Sequence, residues 1–235
     1  MRLFVEQVGK NSGPGTKGIN VTSVYNWLTF DIIGVLTFGE SFESVSSWQS
    51  SVWVDLLLNM AKHMTFLPAA ERLSLPAFAL GAVMPSDVSK NAAYHDKLTE
   101  EKISRRIGLI KSNDREDFFA FILRKGNFDP VHLREQAKLL MLAGSETTAT
   151  FLAMVTYLLL KSPVSMQKLQ HEVRSAFSST GINLAYLEAR IVLAYMIYAY
   201  DWELVNKDLE WFKEVKLWTL WEKPELYVRF HPRDV

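Results

Sequence analysis

One segment limits what this chain can become. From Pro130 to Lys161 nothing interrupts a helix: Asp129 is placed to cap it, Pro130 suits the first helical position, and Ser162-Pro163 stops the run. At the standard rise such a helix is about 48 Å long, so it crosses the whole of any fold that contains it. The apolar passages inside it, Leu139 to Ala143 and Phe151 to Leu160, are separated by Gly-Ser-Glu-Thr-Thr. They fall short of the roughly 18 uninterrupted residues of a membrane span.

Other helices are expected around this rod. Val24, Trp27, Leu28, Asp31, Ile32 and Val35 recur with helical spacing as an apolar face with one acidic member, and Gly39 sits where a C-terminal cap belongs. Further helices are expected over Trp48 to Lys62, Asp87 to Lys111 (capped by Ser86 or Asp87), Asp117 to Lys125, Val164 to Phe177 and Asn183 to Ala199. The last is apolar on nearly every side, as a helix buried among others is. Phe66 to Pro85, with three prolines and a glycine, reads as an apolar connection. Near the end the period changes to two. Val215, Leu217, Thr219 and Trp221 alternate, Pro224 turns the chain, and Leu226, Val228 and Phe230 alternate again, which predicts a small β-hairpin. The expected fold class is mainly α with a minor β element.

Composition removes several chemistries. The 26 basic and 26 acidic residues cancel, which leaves no electrostatic footprint for nucleic acid. With no cysteine there is no disulfide, no thiolate nucleophile, no iron–sulfur cluster and no thiolate ligand for heme iron. The five histidines are scattered without a His-Glu-x-x-His or an i, i+4 pair, so no metal site is expected from them. Gly13-Pro14-Gly15-Thr16-Lys17-Gly18 has the form G-x-G-x-x-G, but no strand is expected before it, and it reads as a plain loop. Asn20-Val21-Thr22 fits a glycosylation sequon without a secretory signal, and the N-terminus shows neither a secretory core nor a spanning segment. Neither Gly-x-Ser-x-Gly nor a P-loop occurs.

The informative stretch is Ala143-Gly144-Ser145-Glu146-Thr147-Thr148-Ala149-Thr150, inside the long helix. Five of its residues are poor helix formers, with Gly144 costing about 1 kcal/mol relative to alanine. Ala143, Gly144, Thr147 and Thr148 share one face and are small, so a flat body can approach the backbone there. The Thr147 hydroxyl can bond the Ala143 carbonyl, and Glu146 brings an acid to the same stretch, as proton delivery into an apolar pocket requires. Close helix–helix packing through small residues, with Glu146 paired to a basic neighbour, accounts for the same pattern. Both readings stand on the sequence.

Leu140 to Thr150 resembles the central helix of the cytochrome P-450 heme-thiolate monooxygenases, whose pattern is A-G-x-[DE]-T-T. Tyr25 to Glu40 is similar to an earlier helix of fungal secondary-metabolism members, and Trp221 to Phe230 to their C-terminal hairpin. The resemblance implies a partial P-450 fold. It implies Glu146 and Thr147 as the catalytic oxygen-activation pair, and Ala143, Gly144 and Thr148 as the distal heme face. It also implies heme as cofactor, a reductase and a small apolar substrate (a terpenoid or polyketide) as partners, and anchoring at the endoplasmic reticulum. The family's E-x-x-R and its cysteine loop are missing. Asn183 to Arg190 resembles the helix that follows that cysteine, yet it directly follows Ser178-Ser179-Thr180-Gly181, with Ser179 in the cysteine's place. A serine hydroxyl is too weakly acidic to replace the thiolate.

The expectation is therefore a single incomplete domain over residues 1–235 with an internal deletion near 181–183. Its vestigial pair is inactive, its heme absent or weakly held, and the chain cytoplasmic or peripheral without the anchor. A pseudogene product fits this, as does a fragmentary gene model of an active enzyme. A heme-free helical binding protein is the remaining alternative.

Overall fold

The computed structural model describes residues 1–56, 58, 72, 87–110, 120–122, 129–178, 188–218 and 220–233. The elements run α1 (Arg2–Asn11), β1 (Ile19–Asn20), α2 (Val21–Phe38), α3 (Ser44–Ser47), α4 (Asp87–Ile110), α5 (Pro130–Lys161), α6 (Pro163–Ser178), α7 (Glu188–Ala199), β2 (Tyr200–Leu204), α8 (Trp211–Glu214), β3 (Lys216–Leu217), β4 (Trp221–Glu222) and β5 (Tyr227–Pro232).

The long helix has the bounds its sequence signals set. Asp129 accepts from the Val131 amide, Pro130 occupies the first turn, and Ser162 ends the helix. Helix α2 lies antiparallel along α5 and feeds two cores. Its first half supplies Val24, Tyr25 and Leu28 to a core shared with Phe4 and Val8 of α1, Leu152 and Ala153 of α5, Met196 and Ile197 of α7, and Val228 and Phe230 of β5. Its second half supplies Phe30, Ile33 and Phe38 to a core with Trp53, Ile103 of α4, and Leu133, Ala137 and Met141 of α5. Gly39 ends α2 with φ of 77°, the left-handed C-cap expected there.

Asp31 stands on the buried face of α2 for a local reason. One carboxylate oxygen accepts from the amides of Phe42 (3.0 Å) and Ser44 (3.2 Å), and the other from Val45 (2.9 Å). The charge is held by three backbone donors, and the chain leaving α2 is clamped back onto it.

Several expectations change. Arg2–Asn11 is helical where the sequence was read only as turning polar. The helix expected from Trp48 begins later: Trp48 has φ of 56° and closes α3, while residues 52–56 are helical. The hairpin at the C-terminus is narrower than the alternation implied. Lys216 pairs with Glu222 and Leu217 with Trp221, whereas β5 turns away to become the centre of a separate sheet of order β1-β5-β2. In that sheet Ile19 faces Val228, and Trp202 faces Phe230. The glycine-rich loop turns α1 into β1. Gly18 has φ of 79°, and a Cβ there would lie 2.9 Å from the Val228 carbonyl oxygen, so only glycine fits. Asn20 caps α2 by accepting from the Thr22 amide. The expected connection over Phe66 to Pro85 and the junction near 181–183 lie outside the described residues, apart from Arg72.

Among the described residues, two helices are long and apolar enough to cross a membrane: Val21–Phe38, of whose window 67% is buried inside the protein, and Val131–Lys161, with 39% buried. The first is a core helix by its burial.

Candidate functional site

The small-residue stretch of α5 divides between two faces. Ala143 and Thr147 are exposed, continuing a row with Leu139 and Phe151, which are 58% and 47% exposed. The Thr147 hydroxyl donates to the Ala143 carbonyl at 2.8 Å, the back-bond its spacing suggested. Gly144 and Thr148 are half-buried at the margin. Gly144 meets α2: a Cβ on it would stand 2.7 Å from Cδ1 of Ile33, so the glycine lets the two helices approach.

Glu146 turns to the other side. Successive residues of a helix point about 100° apart, so adjacency in sequence with Thr147 does not bring the two side chains together. Its Oε1 accepts from Lys223 Nζ at 2.5 Å and from the Thr150 hydroxyl at 3.2 Å. Lys223 also donates to Thr150 (3.1 Å) and to Oδ1 of Asn26 on α2 (3.4 Å). Both charged side chains are almost fully buried, at 4% and 6% exposure. Burial pulls the Lys223 ammonium below its ordinary value, and the neighbouring carboxylate opposes that shift. The second Glu146 oxygen is buried without a hydrogen-bond partner. A cleft of about 300 Å³ opens beside the pair, between Ser23 and Asn26 of α2 and Trp218, Trp221 and Lys223 near the hairpin.

Of the residues singled out in the sequence, the structure brings Ala143 and Thr147 together on an open edge. It sets Gly144 against Ile33 and sends Glu146 into an ion pair with the residue after β4. Sequence reasoning missed Lys223, Asn26 and Thr150. Thr150 carried a signal, being one turn on from Glu146. Lys223, 77 residues away, carried none. Among the described residues no three His, Asp or Glu side chains gather as metal donors.

A long transverse helix with a bared edge of small residues, an antiparallel partner helix and a small C-terminal sheet define a class: mainly helical domains built around one central helix with an open face. Comparison gives the family. The cytochrome P450 family model matches residues 1–180, and the chain belongs to that family. It is 37% identical over 196 residues to the cytochrome P450 monooxygenase hepD of Aspergillus oryzae, an alignment covering 82% of this chain and 38% of that protein. It is 24% identical over 332 residues to the monooxygenase BOT4 of Botryotinia fuckeliana, covering 97% of this chain and 62% of that one. It is 32% identical over 198 residues to the trichothecene C-4 hydroxylase of Trichoderma arundinaceum, covering 83% and 39%. The chain thus spans less than two thirds of the length of these relatives. In fold it superposes on the heme domain of cytochrome P450DA with a TM-score of 0.77 at 14% identity, over 99% of this chain and 71% of that one. These relatives are fungal cytochrome P450 monooxygenases and a hydroxylase, and the family implies heme and a redox partner for its members.

The residues present fit that cofactor on one side only. The edge of α5 bearing Ala143 and Thr147 offers a flat body room. The axial donor does not fit, because the sequence contains no cysteine.

Proposed function

We propose that this chain is a catalytically inactive remnant of a fungal secondary-metabolism cytochrome P450 monooxygenase. One observation carries the reading: none of the 235 residues is a cysteine. In the family, heme with a thiolate behind the iron supplies oxygen activation, and no other side chain provides an equally electron-rich sulfur. Ala143, Gly144 and Thr148 are the stretch assigned to the cofactor face, and of the three Gly144 packs against Ile33 of α2. Glu146 and Thr147 are its vestigial pair, now engaged in a buried ion pair and a helical back-bond respectively. The chain is one incomplete domain missing an internal block near 181–183. Two findings support this. The alignment with BOT4 extends over 332 positions, more than the 235 residues available, so part of that relative has no counterpart inside this chain. The family model also stops matching at residue 180, although the chain beyond it closes onto the same core as α1 and α2. Without the thiolate, no electrons from a reductase are used to oxidise an apolar substrate.

The decisive experiment adds hemin to the purified chain, reduces it under carbon monoxide and records the Soret band. Absence of a thiolate-type band is expected; its presence overturns the reading. The interrupted family match also favours a second reading, a fragmentary gene model of an active enzyme. Transcript sequencing across the codons for Gly181 to Asn183 separates the two, since an intact transcript would supply E-x-x-R and a cysteine loop.

A further inference from the structure

Away from the α5 edge, a histidine is sealed into the second core. His95 of α4 is fully buried, and its imidazole stacks on Trp53 with ring centroids 5.0 Å apart and planes within 11°. Trp53 in turn stacks on Phe42 at 4.6 Å and meets Phe38 edge-on, so the imidazole closes one end of an aromatic column. Neither ring nitrogen has a hydrogen-bond partner, and neither does the buried Trp53 indole N–H. The backbone carbonyl of His95 is occupied by the Thr99 hydroxyl at 2.8 Å, which leaves the ring as the unsatisfied part of the residue.

A neutral imidazole tolerates this surrounding because stacking replaces some of what its nitrogens lose. An imidazolium has two N–H donors and a charge, with no acceptor in reach. The charged groups facing it are Lys138 and Glu135 of α5 and Asp96 of α4. Lys138 repels a second cation, whereas Asp96 and Glu135 favour one, and the indole face adds some cation–π attraction. At the far end of the aromatic column Lys102 of α4 pairs with Glu40, just beyond α2, at 2.6 Å and lies 4.7 Å over the Phe42 ring. Burial dominates and, with Lys138, pushes the imidazole down to about 4.

We propose that His95 is an acid-sensitive latch: once protonated, its ring leaves the Trp53 stack and α4 separates from α2 and α5. The sign follows from linkage. The folded chain keeps this ring neutral below the ordinary histidine value of 6.5, while the opened helix takes up the proton. The docked state is thus fully favoured above 6.5 and loses ground progressively as pH falls towards 4. The ion pairs that bind α4 to its neighbours, Lys138 with Asp96, Arg134 with Glu100 and Lys102 with Glu40, involve carboxylates and would weaken only at lower pH.

The test is hydrogen exchange of the α4 amides in the full-length chain from pH 7.5 to 4.5, corrected for the intrinsic pH dependence of exchange. The wild-type opening constant is expected to rise on the order of fifty-fold across that range. His95→Phe keeps an aromatic ring in the stack without a titrating group, and its opening constant should stay flat. Lys138→Met removes the repelling ammonium, which brings the ring's folded-state value closer to 6.5, so the acid-driven rise should be smaller and level off at higher pH. Wild-type protection that persists unchanged to pH 4.5 overturns the proposal, as does a His95→Phe chain with the wild-type transition. A Lys138→Met chain that loses its acid dependence overturns it too, because that result assigns the effect to the ion pairs. Should phenylalanine not be accommodated, the direction of the Lys138→Met shift decides.

Discussion

At the residue scale, Glu146 and Lys223 form a buried ion pair. Two charges leave water, and one carboxylate oxygen remains unpaired. Breaking such a pair from one side is expected to cost about 3–5 kcal/mol, whereas replacing both partners costs far less. Lys223→Met and Glu146→Gln should each lower the urea midpoint sharply, and the double variant should recover much of the loss, as a double-mutant cycle would read. The lysine's lowered value also sets a pH trend. Below lysine's ordinary 10.5 the unfolded chain holds this proton more firmly than the folded one, so stability gains from this group as pH rises into that window. Lys223→Met should remove that gain. Tyr25 gives the opposite trend. Its hydroxyl is buried against the Thr156 hydroxyl at 3.0 Å, and burial pushes it up to about 12. Its contribution is complete below 10 and is lost between 10 and 12, and Tyr25→Phe should flatten the alkaline limb of a stability profile. The sequence pointed to Glu146 as chemically notable without revealing its partner, because ion pairing between residues so far apart is a property of packing.

At the element scale, the contact between α2 and α5 depends on Gly144, and the exit from α2 depends on Asp31. Alanine at Gly144 gains helix propensity of about 1 kcal/mol but drives a methyl into Ile33, and overpacking costs about 1–3 kcal/mol. Gly144→Ala is expected to destabilise, and adding Ile33→Val should restore part of the loss in denaturant titration. Asp31→Ala strips three backbone amides of their acceptor and should cost about 3 kcal/mol. Asp31→Asn keeps one acceptor oxygen and should cost about half as much. Helix α5 was legible with both its ends and α2 with its C-terminal cap, since apolar periodicity and the Asp-Pro and Gly signals are local, whereas the Asn20 cap of α2 was not read. The destination of β5 was not. Alternation says that Leu226, Val228 and Phe230 share a face, but it does not say which strand pairs with them. Here the partners are a two-residue strand next to a glycine loop and a strand that continues directly from an apolar helix.

At the scale of the whole molecule, the residues before and after the 181–183 junction build one core. Phe4, Val8, Val21 and Tyr25 pack with Val192, Met196, Leu226 and Phe230. A chain ended after Ser178 would expose that core, and its thermal melt should broaden and lose cooperativity relative to the full chain. Retention of a sharp transition would contradict a single domain spanning the junction. The bared edge of α5, with Leu139, Ala143, Thr147 and Phe151, is compatible with a fold that once closed over this face.

The sequence by itself determined the long helix and its ends, the family motif within it, and the lack of any thiolate donor for iron; the last is covalent fact that no folding alters. Tertiary structure alone decided that Glu146 faces Lys223 rather than Thr147, that β5 lies between β1 and β2, and that His95 is sealed against Trp53. Each of these depends on which distant surfaces meet, and hydrophobic burial across two shared cores selects those surfaces collectively, with no signature in the local pattern of residues.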